Sequence, residues 1–379
     1  MDAGDRLEPT ESLSERAERA LRGCTRFLTQ HGLRSPREIL LELAETTDPE
    51  LAPDRYGTGE LISGFEARIA ELLGKEAAVF LPSGTLAQQI ALRVWSERRG
   101  SPNIAMHPKN HLDLHEGDAY QRLHNLRGIA VGQPDRLLTL ADLQLVAEPL
   151  AALLLELPQR EIGGQLPPWD DLLAQTDWAH KRSAATHLDG ARLWESGPYY
   201  GRPYHEIAAP FDTVYVSFYK GLGGLTGSAL AGPADVIAEA RVWQHRQGGR
   251  LFQLFPYVLS ARHGLEQRLG RMADYHRRAV EIASDLAAFP QIAIVPNPPQ
   301  TNMMHLYLPG DRDRLLAAAV EIAEESGLGV LRALAPTPLP GYHKWEFTVG
   351  DATLALSREE ITATIGALLE RAGSYARPD

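Results

Sequence analysis

For most of its length the chain alternates between two hydrophobic periodicities. "SGFEARIAELLGK" carries apolar residues at helical spacing, "AAVFLP" is a short continuous apolar run, and "SGTLAQQIALRVWSERR" returns to the helical pattern. Further short apolar runs follow at "NIAMH", "GIAVG", "AALLLEL", "AATHL", "TVYVSFY" and "GSALAG", with the helical stretch "PPWDDLLAQTDWAHKR" between "AALLLEL" and "AATHL". Apolar runs that are continuous, separated by helices, predict strands buried on both faces of a mostly parallel sheet. After about residue 270 the pattern changes: a long helix, "RMADYHRRAVEIASDLAAF", leads through "QIAIVP", "MMHLYLP", "DRLLAAAVEIAEESG", "GVLRAL" and "KWEFTVG" to a last helix, "SREEITATIGALLERAG". That order predicts a smaller α+β domain, punctuated by the Pro-rich breaks "PNPPQ" and "APTPLPG". The predicted organisation is an N-terminal extension over 1–24, a large α/β domain over 25–270 and a small α+β domain over 271–379. No internal repeat or low-complexity tract interrupts it.

Composition narrows the function without changing this picture. At 379 residues, 44% hydrophobic and 23% charged, the chain has an ordinary globular composition. Its net charge of −11 argues against a nucleic-acid binder, which needs a basic face. The single cysteine, Cys24, excludes an intrachain disulfide and any site built from several thiolates, so a cytoplasmic protein without a metal centre is expected. The most apolar stretch, "PLAALLLELP", is too short to span a bilayer. The N-terminal "MDAGDRLEPTESLSERAERALRG" alternates acidic and basic residues and lacks an apolar signal core. It reads as a solvated helix or a partly ordered extension, with packing on a partner subunit as the alternative role.

Three candidate chemical groups fall where predicted strands end. Ser83-Gly84-Thr85 opens a helix directly after a strand, offering two hydroxyls and free N–H groups at the positive end of the helix dipole; it reads either as a plain N-cap or as a phosphate cradle. In "HLDGAR", Asp189 closes an apolar strand, at the edge where open α/β sheets bind ligands. It would cap the following turn or bind a cationic ring nitrogen. Arg192 is placed to pair with Asp189 or with an anionic ligand group, and His187 shares a strand face with Asp189 as a supporting histidine. Lys220, in "VSFYKGLGG", lies thirty-one residues after Asp189, between an aromatic strand and a glycine-rich turn. A buried lysine beside an electrophile can form a Schiff base. Pyridoxal phosphate requires a lysine for its imine, an acid for its pyridine nitrogen and a cup for its phosphate, and the sequence supplies cup, acid and lysine in that order.

From about residue 30 to the C-terminal helix the chain resembles the threonine aldolase and β-eliminating lyase branch of the fold type I pyridoxal-phosphate enzymes. The stretches that carry the resemblance are "YGTGELISGFEARIAELLGKEAAVFLPSGTLAQQIAL", "HLDGARLWES" and "KGLGGLTGSALAG", and the pairing of "HLDGARL" with "KGLG" is its specific part. The resemblance implies that Lys220 carries the cofactor imine, that Asp189 keeps the pyridine nitrogen protonated, and that Ser83, Gly84 and Thr85 hold the phosphate. It places Arg192 near the cofactor's phenolic oxygen or the substrate carboxylate. It also implies a histidine over the ring; in "NHLDLHEGDAY" that is His111, stacked and able to take a proton from a substrate hydroxyl, with His115 and Glu116 close behind.

The chain also departs from the family pattern. "CTRFLTQHGLRSPREIL" lacks the expected arginine-serine-aspartate-threonine stretch, and "TGEL" after Tyr56-Gly57 replaces an aspartate-proline form. In "HKWEFTVGDATLALS" Glu346 or a neighbour stands where the resemblance implies an arginine for the substrate α-carboxylate. A carboxylate cannot fill that role without a shared proton or a cation, which leaves Arg332, Lys344 and Arg26 as candidates, or a different substrate. The activity implied is retro-aldol cleavage of a β-hydroxy-α-amino acid to an amino acid such as glycine and an aldehyde. The alternatives are another cofactor-dependent lyase, such as a β-eliminating enzyme, and a catalytically inactive scaffold. A homodimer or homotetramer with shared active sites is expected, the Tyr56 loop, Arg246 and Arg250 reaching a neighbour.

Overall fold

The computed structural model describes residues 11–374, which pack into two units: Arg34–Arg277 with Pro299–Asn302 form the larger, and the remaining residues, including those up to Leu33, form the smaller. The larger unit is built on a seven-stranded sheet of β1 (Ala77–Leu81), β2 (Asn103–Met106), β3 (Arg127–Ala130), β4 (Ala152–Glu156), β5 (Ala185–Gly190), β6 (Thr213–Ser217) and β7 (Ser228–Gly232), in the spatial order β1-β7-β6-β5-β4-β2-β3. Four of its pairings are parallel, and β7 runs antiparallel to both of its neighbours. The reason lies in chain length. Only residues 218–227 separate β6 from β7, too few for the crossover that a parallel neighbour requires.

Alternate side chains of each strand serve opposite faces. Val79 and Leu81 of β1, Leu154 of β4 and Tyr215 of β6 share one core with Ala87, Ile90, Ala91 and Val94 of the Gly84–Arg99 helix and Val236 and Ile237 of the Ala234–Arg246 helix. On the other face, Phe80 meets Phe65 of the Glu60–Leu73 helix, ring centroids 6.1 Å apart, and stacks on Phe218 at the same distance. With helices on both faces, β2, β4, β5, β6 and β7 are buried throughout, as their continuous apolar runs predicted, whereas the edge strand β3, from "GIAVG", has one neighbour only and is half-exposed. This is the mixed α/β sheet of the fold type I architecture.

The smaller unit holds a four-stranded antiparallel sheet, ordered Ala335–Pro336, Tyr342–Thr348, Met303–Pro309, Ala293–Val295, with the Arg312–Ser326 and Arg358–Arg371 helices. A two-residue parallel pairing of Arg26–Phe27 with Leu328–Gly329 ties the N-terminal segment into it. Leu13–Gly23 is a helix capped by Ser12 and Glu15, and it buries Ala20 against Val320 and Ala323. The helical reading of the extension therefore describes residues 13–23; residues 1–10 lie outside the described residues.

Candidate active site

β5 and β6 are parallel neighbours, with Asp189 opposite Tyr215 and Gly190 opposite Val216. Asp189 is the penultimate residue of one strand, and Lys220 follows the end of the next by three residues, so topology alone delivers both to one sheet edge. Asp189 is buried. Its Oδ1 accepts the Ala191 N–H at 3.1 Å, and its Oδ2 has no hydrogen-bond partner. Burial raises the Asp189 carboxyl above the ordinary range, and the charge on Lys220 is the largest opposing influence, followed by the Ala191 N–H and Arg192. Lys220 is half-buried. Loss of water lowers its ammonium pKa first and the charge on Arg192 lowers it further, while Asp189 and Glu156 oppose the shift. The net direction favours a neutral, nucleophilic amine.

The cradle forms at the start of the Gly84–Arg99 helix. The Ser83 hydroxyl caps it by accepting the Leu86 N–H at 3.2 Å, so the N-cap reading holds, while the first N–H groups of the helix face outward from its positive end. Gly84 is required here by contact. A Cβ at this position would lie 2.0 Å from the Tyr215 phenol oxygen and 3.1 Å from that of Tyr219. Tyr215 points up from β6, so the helix start rests on the strand that leads to Lys220. Thr85, the second residue of the helix, lies beside Glu116, whose carboxyl is pushed up to about 7 by burial and by Asp189.

His111 opens a short helix, His111–His115, that is pinned at its base. Buried Asn110 caps it through the Asp113 N–H at 3.0 Å and donates to the His107 carbonyl at 2.9 Å, and the Tyr120 hydroxyl holds Asp113 at 2.7 Å. Burial, then the charge on Lys220, push the His111 imidazole down to about 3, so it is uncharged at neutral pH. Its ring lies 4.8 Å from that of His115, and His115 Nε2 is 2.9 Å from Glu161 and 3.2 Å from Arg160.

The structure adds groups that the sequence reading did not single out. Glu156 ends β4 directly opposite Asp189; its oxygens accept the Gln159 side-chain amide at 2.9 Å and the Arg160 backbone N–H at 3.2 Å. Burial and the neighbouring Asp189 push its carboxyl up to about 8. Glu195, also buried, sits against Gly221, where a Cβ would fall 2.0 Å from its Oε1; burial raises its carboxyl to about 7 against the pull of Arg192 and Lys220. Arg160 bears on both Lys220 and His111 through its charge. The strand-end rule that selected Asp189 also selects Glu156 in "AALLLEL", so that residue had a signal. Glu195 had none, because its burial arises from the return of the chain over β6.

Lys220, Asp189, Arg192, His111, Ser83, Gly84 and Thr85 all belong to the larger unit. The candidates for the substrate carboxylate do not. Arg26 is engaged with Glu360 at 2.5 Å in the smaller unit. Lys344 and Glu346 lie two residues apart on one strand there, Glu346 in register with His305 and 3.9 Å from its imidazole, and Arg332 is exposed. Among the described residues no group of histidine, cysteine, aspartate and glutamate side chains is arranged to hold a metal ion, and no helix is long and apolar enough to cross a membrane.

Residues 49–309 match the profile of the β-eliminating lyase family. The chain belongs to that family. Among β-eliminating lyase relatives, it is 31% identical over 290 residues to the aldolase vrtJ of Penicillium aethiopicum, covering 73% of this chain and 71% of that one. It is 29% identical over 242 residues to the low specificity L-threonine aldolase of Escherichia coli K12, covering 62% and 71%. A solved structure from Listeria monocytogenes EGD-E, assigned as an L-allo-threonine aldolase, superposes with a TM-score of 0.90 at 38% identity, over 95% of this chain and 100% of that one. Serine palmitoyltransferase of Sphingomonas wittichii shares the fold at 17% identity, with a TM-score of 0.66 over 92% of this chain and 87% of that one.

The residues of the larger unit fit the family's cofactor, pyridoxal phosphate. An amine of lowered proton affinity, a buried carboxylate oxygen with no partner, and a helix start that admits no Cβ are the three features that an imine carbon, a pyridinium nitrogen and a phosphate require.

Proposed function

We propose that the protein is a pyridoxal-phosphate-dependent aldolase that cleaves the Cα–Cβ bond of a β-hydroxy-α-amino acid, yielding an amino acid such as glycine and an aldehyde. The observation that carries this reading is the placing of Asp189 and Lys220 at one edge of adjacent parallel strands, with Gly84 of the helix start seated on Tyr215 of the same strand that leads to Lys220. An intact set of this kind argues against a retired scaffold. The bound cofactor supplies an electron sink for the bond that breaks.

The remaining chemistry belongs to side chains of this chain. Lys220 would hold the cofactor aldehyde through its amine and would yield that place to the amine of the substrate. Its lowered ammonium pKa keeps a larger share of it unprotonated. Asp189 would hold the cofactor's ring nitrogen with a charged acceptor, and Arg192 would meet an anionic oxygen of cofactor or substrate. Ser83, Gly84 and Thr85 would receive the phosphate at the helix start. His111, neutral because it is buried beside Lys220, takes the β-hydroxyl proton of the substrate at its imidazole nitrogen. Its proton affinity rises whenever the Lys220 amine is uncharged, since that charge is the second cause of its depression. The helix base at Asn110 and Tyr120 keeps the ring in place while this happens.

Two finer readings accompany this one. The Tyr56 loop supports a homodimer or homotetramer: Tyr56 and Phe252 are both 52% exposed and pack edge to face at 5.3 Å, with Arg250 donating to the Tyr56 carbonyl at 2.7 Å. Light scattering of the purified protein tests it, and a monomer would overturn it. The lone cysteine, half-buried Cys24, supports a cytoplasmic location.

The deciding experiment loads the protein with pyridoxal phosphate and supplies threonine, allo-threonine, phenylserine and serine. Aldehyde release from the first three supports the aldolase. Pyruvate and ammonia from serine, without aldehyde, would assign a β-eliminating enzyme instead.

A further inference from the structure

Behind Asp189, on the face of the sheet covered by the Gly84–Arg99 helix, four buried side chains are linked in line. Trp95 Nε1 donates to the Thr213 hydroxyl at 2.9 Å. Thr213 Oγ1 lies 2.9 Å from His187 Nδ1, and His187 Nε2 lies 2.7 Å from Gln88 Oε1. Gln88, His187, Thr213, Trp95 and Asp189 are all buried. The Gln88 amide lies close enough to Asp189 to favour its charged form. Gln88 Nε2 and Asp189 Oδ2 are the two atoms of this group left without a hydrogen bond.

The direction of the string follows from its Asp189 end. A carboxylate can only accept, so the Gln88 amide turns its N–H groups to Asp189 and its oxygen to His187, whose Nε2 carries the proton and donates to Gln88 Oε1. The neutral imidazole then accepts at Nδ1, so Thr213 Oγ1, which accepts from the Trp95 indole, gives its own proton there. The Gln88 amide, held by its oxygen, presents its N–H groups toward Asp189. The reversed amide would set an acceptor against a carboxylate, and His187 Nε2–H would then face a donor. Every dipole in the string therefore points its positive end toward Asp189, and aligned hydrogen bonds reinforce one another in a dry interior.

We propose that Gln88 and His187 are positioning residues for the proposed aldolase, a one-way hydrogen-bond string that holds Asp189 as a carboxylate aimed at the cofactor's ring nitrogen. Because an amide stands between His187 and Asp189, no proton passes along the string. It acts by orientation and dipole, not by relay. Burial pushes the His187 imidazole down to about 3, in keeping with an uncharged member. The proposal rests on the cofactor reading above, and its test separates the two.

The probes are pyridoxal phosphate and its carbocyclic analogue, in which a C–H replaces the ring nitrogen. Each is titrated into apoprotein, wild type and Gln88→Met, and followed by absorbance. Gln88→Met keeps the volume and removes both ends of the amide. Its expected effect is an affinity for pyridoxal phosphate lowered about tenfold or more, with little change for the carbocyclic compound, because only the former offers Asp189 a proton. Thr213→Val, which cuts the string at its far end, is expected to show the same selectivity with a smaller loss, and serves if Gln88→Met does not fold. Equal losses for the two compounds in both variants, or no loss in either, would overturn the string while leaving the cofactor reading intact. Wild-type protein that takes up neither compound overturns both.

Discussion

Glu156 and Asp189 end neighbouring parallel strands in register, two buried carboxyls side by side on one sheet edge. Their environments divide the charge. Burial raises both carboxyls; against it Asp189 has Lys220, the Ala191 N–H, Arg192 and Gln88, whereas Glu156 is pushed up to about 8 by burial and by the charge of Asp189 itself. Two like charges this close do not both ionise easily, so Glu156 is the member that keeps the proton and Asp189 the one left free for a cation.

This division predicts an alkaline weakness of the cofactor-free protein. An acid whose folded pKa is raised binds more protons folded than unfolded, so its contribution is complete below the ordinary value of 4.5 and is lost as pH climbs through about 8. Glu116 and Glu195, both near 7, act in the same direction. Glu156→Gln apoprotein should match wild type at pH 5 and exceed it at pH 8.5 by on the order of 1–3 kcal/mol in urea unfolding. Parallel stability curves for the two proteins would refute the assignment.

On the acid side the histidines dominate. His111 and His187 are both pushed down to about 3, so the folded state binds fewer protons than the unfolded chain between there and 6.5. Between 6.5 and 4.5 the raised glutamates oppose this, so stability should fall as pH drops from about 4.5 toward 3, and the fall should be shallower in His111→Phe. Thermal melts of apoprotein at half-unit pH steps would read both slopes.

Lys220→Ala should leave pyridoxal phosphate removable by dialysis and abolish the yellow colour of a bound imine. Turnover should drop by about 10³-fold or more, because the covalent anchor and the returning amine are lost together. Retention of colour through dialysis would place the imine elsewhere.

His111→Phe keeps a ring for stacking and removes the proton acceptor. Its expected signature is near-normal cofactor affinity with kcat for aldehyde release lowered roughly 10²- to 10⁴-fold. A variant that lost affinity and kept kcat would make His111 a support for the ring alone.

Gly84→Ala tests the seat of the phosphate. The added methyl would meet Tyr215 at 2.0 Å from its oxygen and 2.7 Å from Cζ, so the helix start must shift. A loss of about 1–3 kcal/mol in stability is expected, with weaker cofactor binding. Tyr215→Phe in the same chain should restore part of both, since it removes the closer of the two atoms. No rescue would mean that the strain lies elsewhere.

Much of this architecture was legible because continuous apolar strands leave few places for chemistry other than their ends. Asp189 and Lys220 stand out against "AATHL" and "TVYVSFY" for that reason, and the sheet edge collects them. The direction of β7 was not legible from "GSALAG", which is apolar on both faces; the length of the segment before it carried the information instead. Gln88 was invisible for another reason. It is one of two adjacent glutamines on a helix, and only packing shows that one of them meets His187 and Asp189. Arg26, one of the cations offered in place of the missing arginine, is taken by Glu360, a residue more than three hundred positions away, and no local pattern carries that fact.

The seat of Gly84 on Tyr215 has a consequence for how the large unit receives its ligand. Strand β6 supports the helix start with one side chain, and the lysine follows three residues past its end. Under the proposed reading, the phosphate seat and the amine are both referred to this one strand, so a change at Tyr215 that shifted the helix start would move the one against the other.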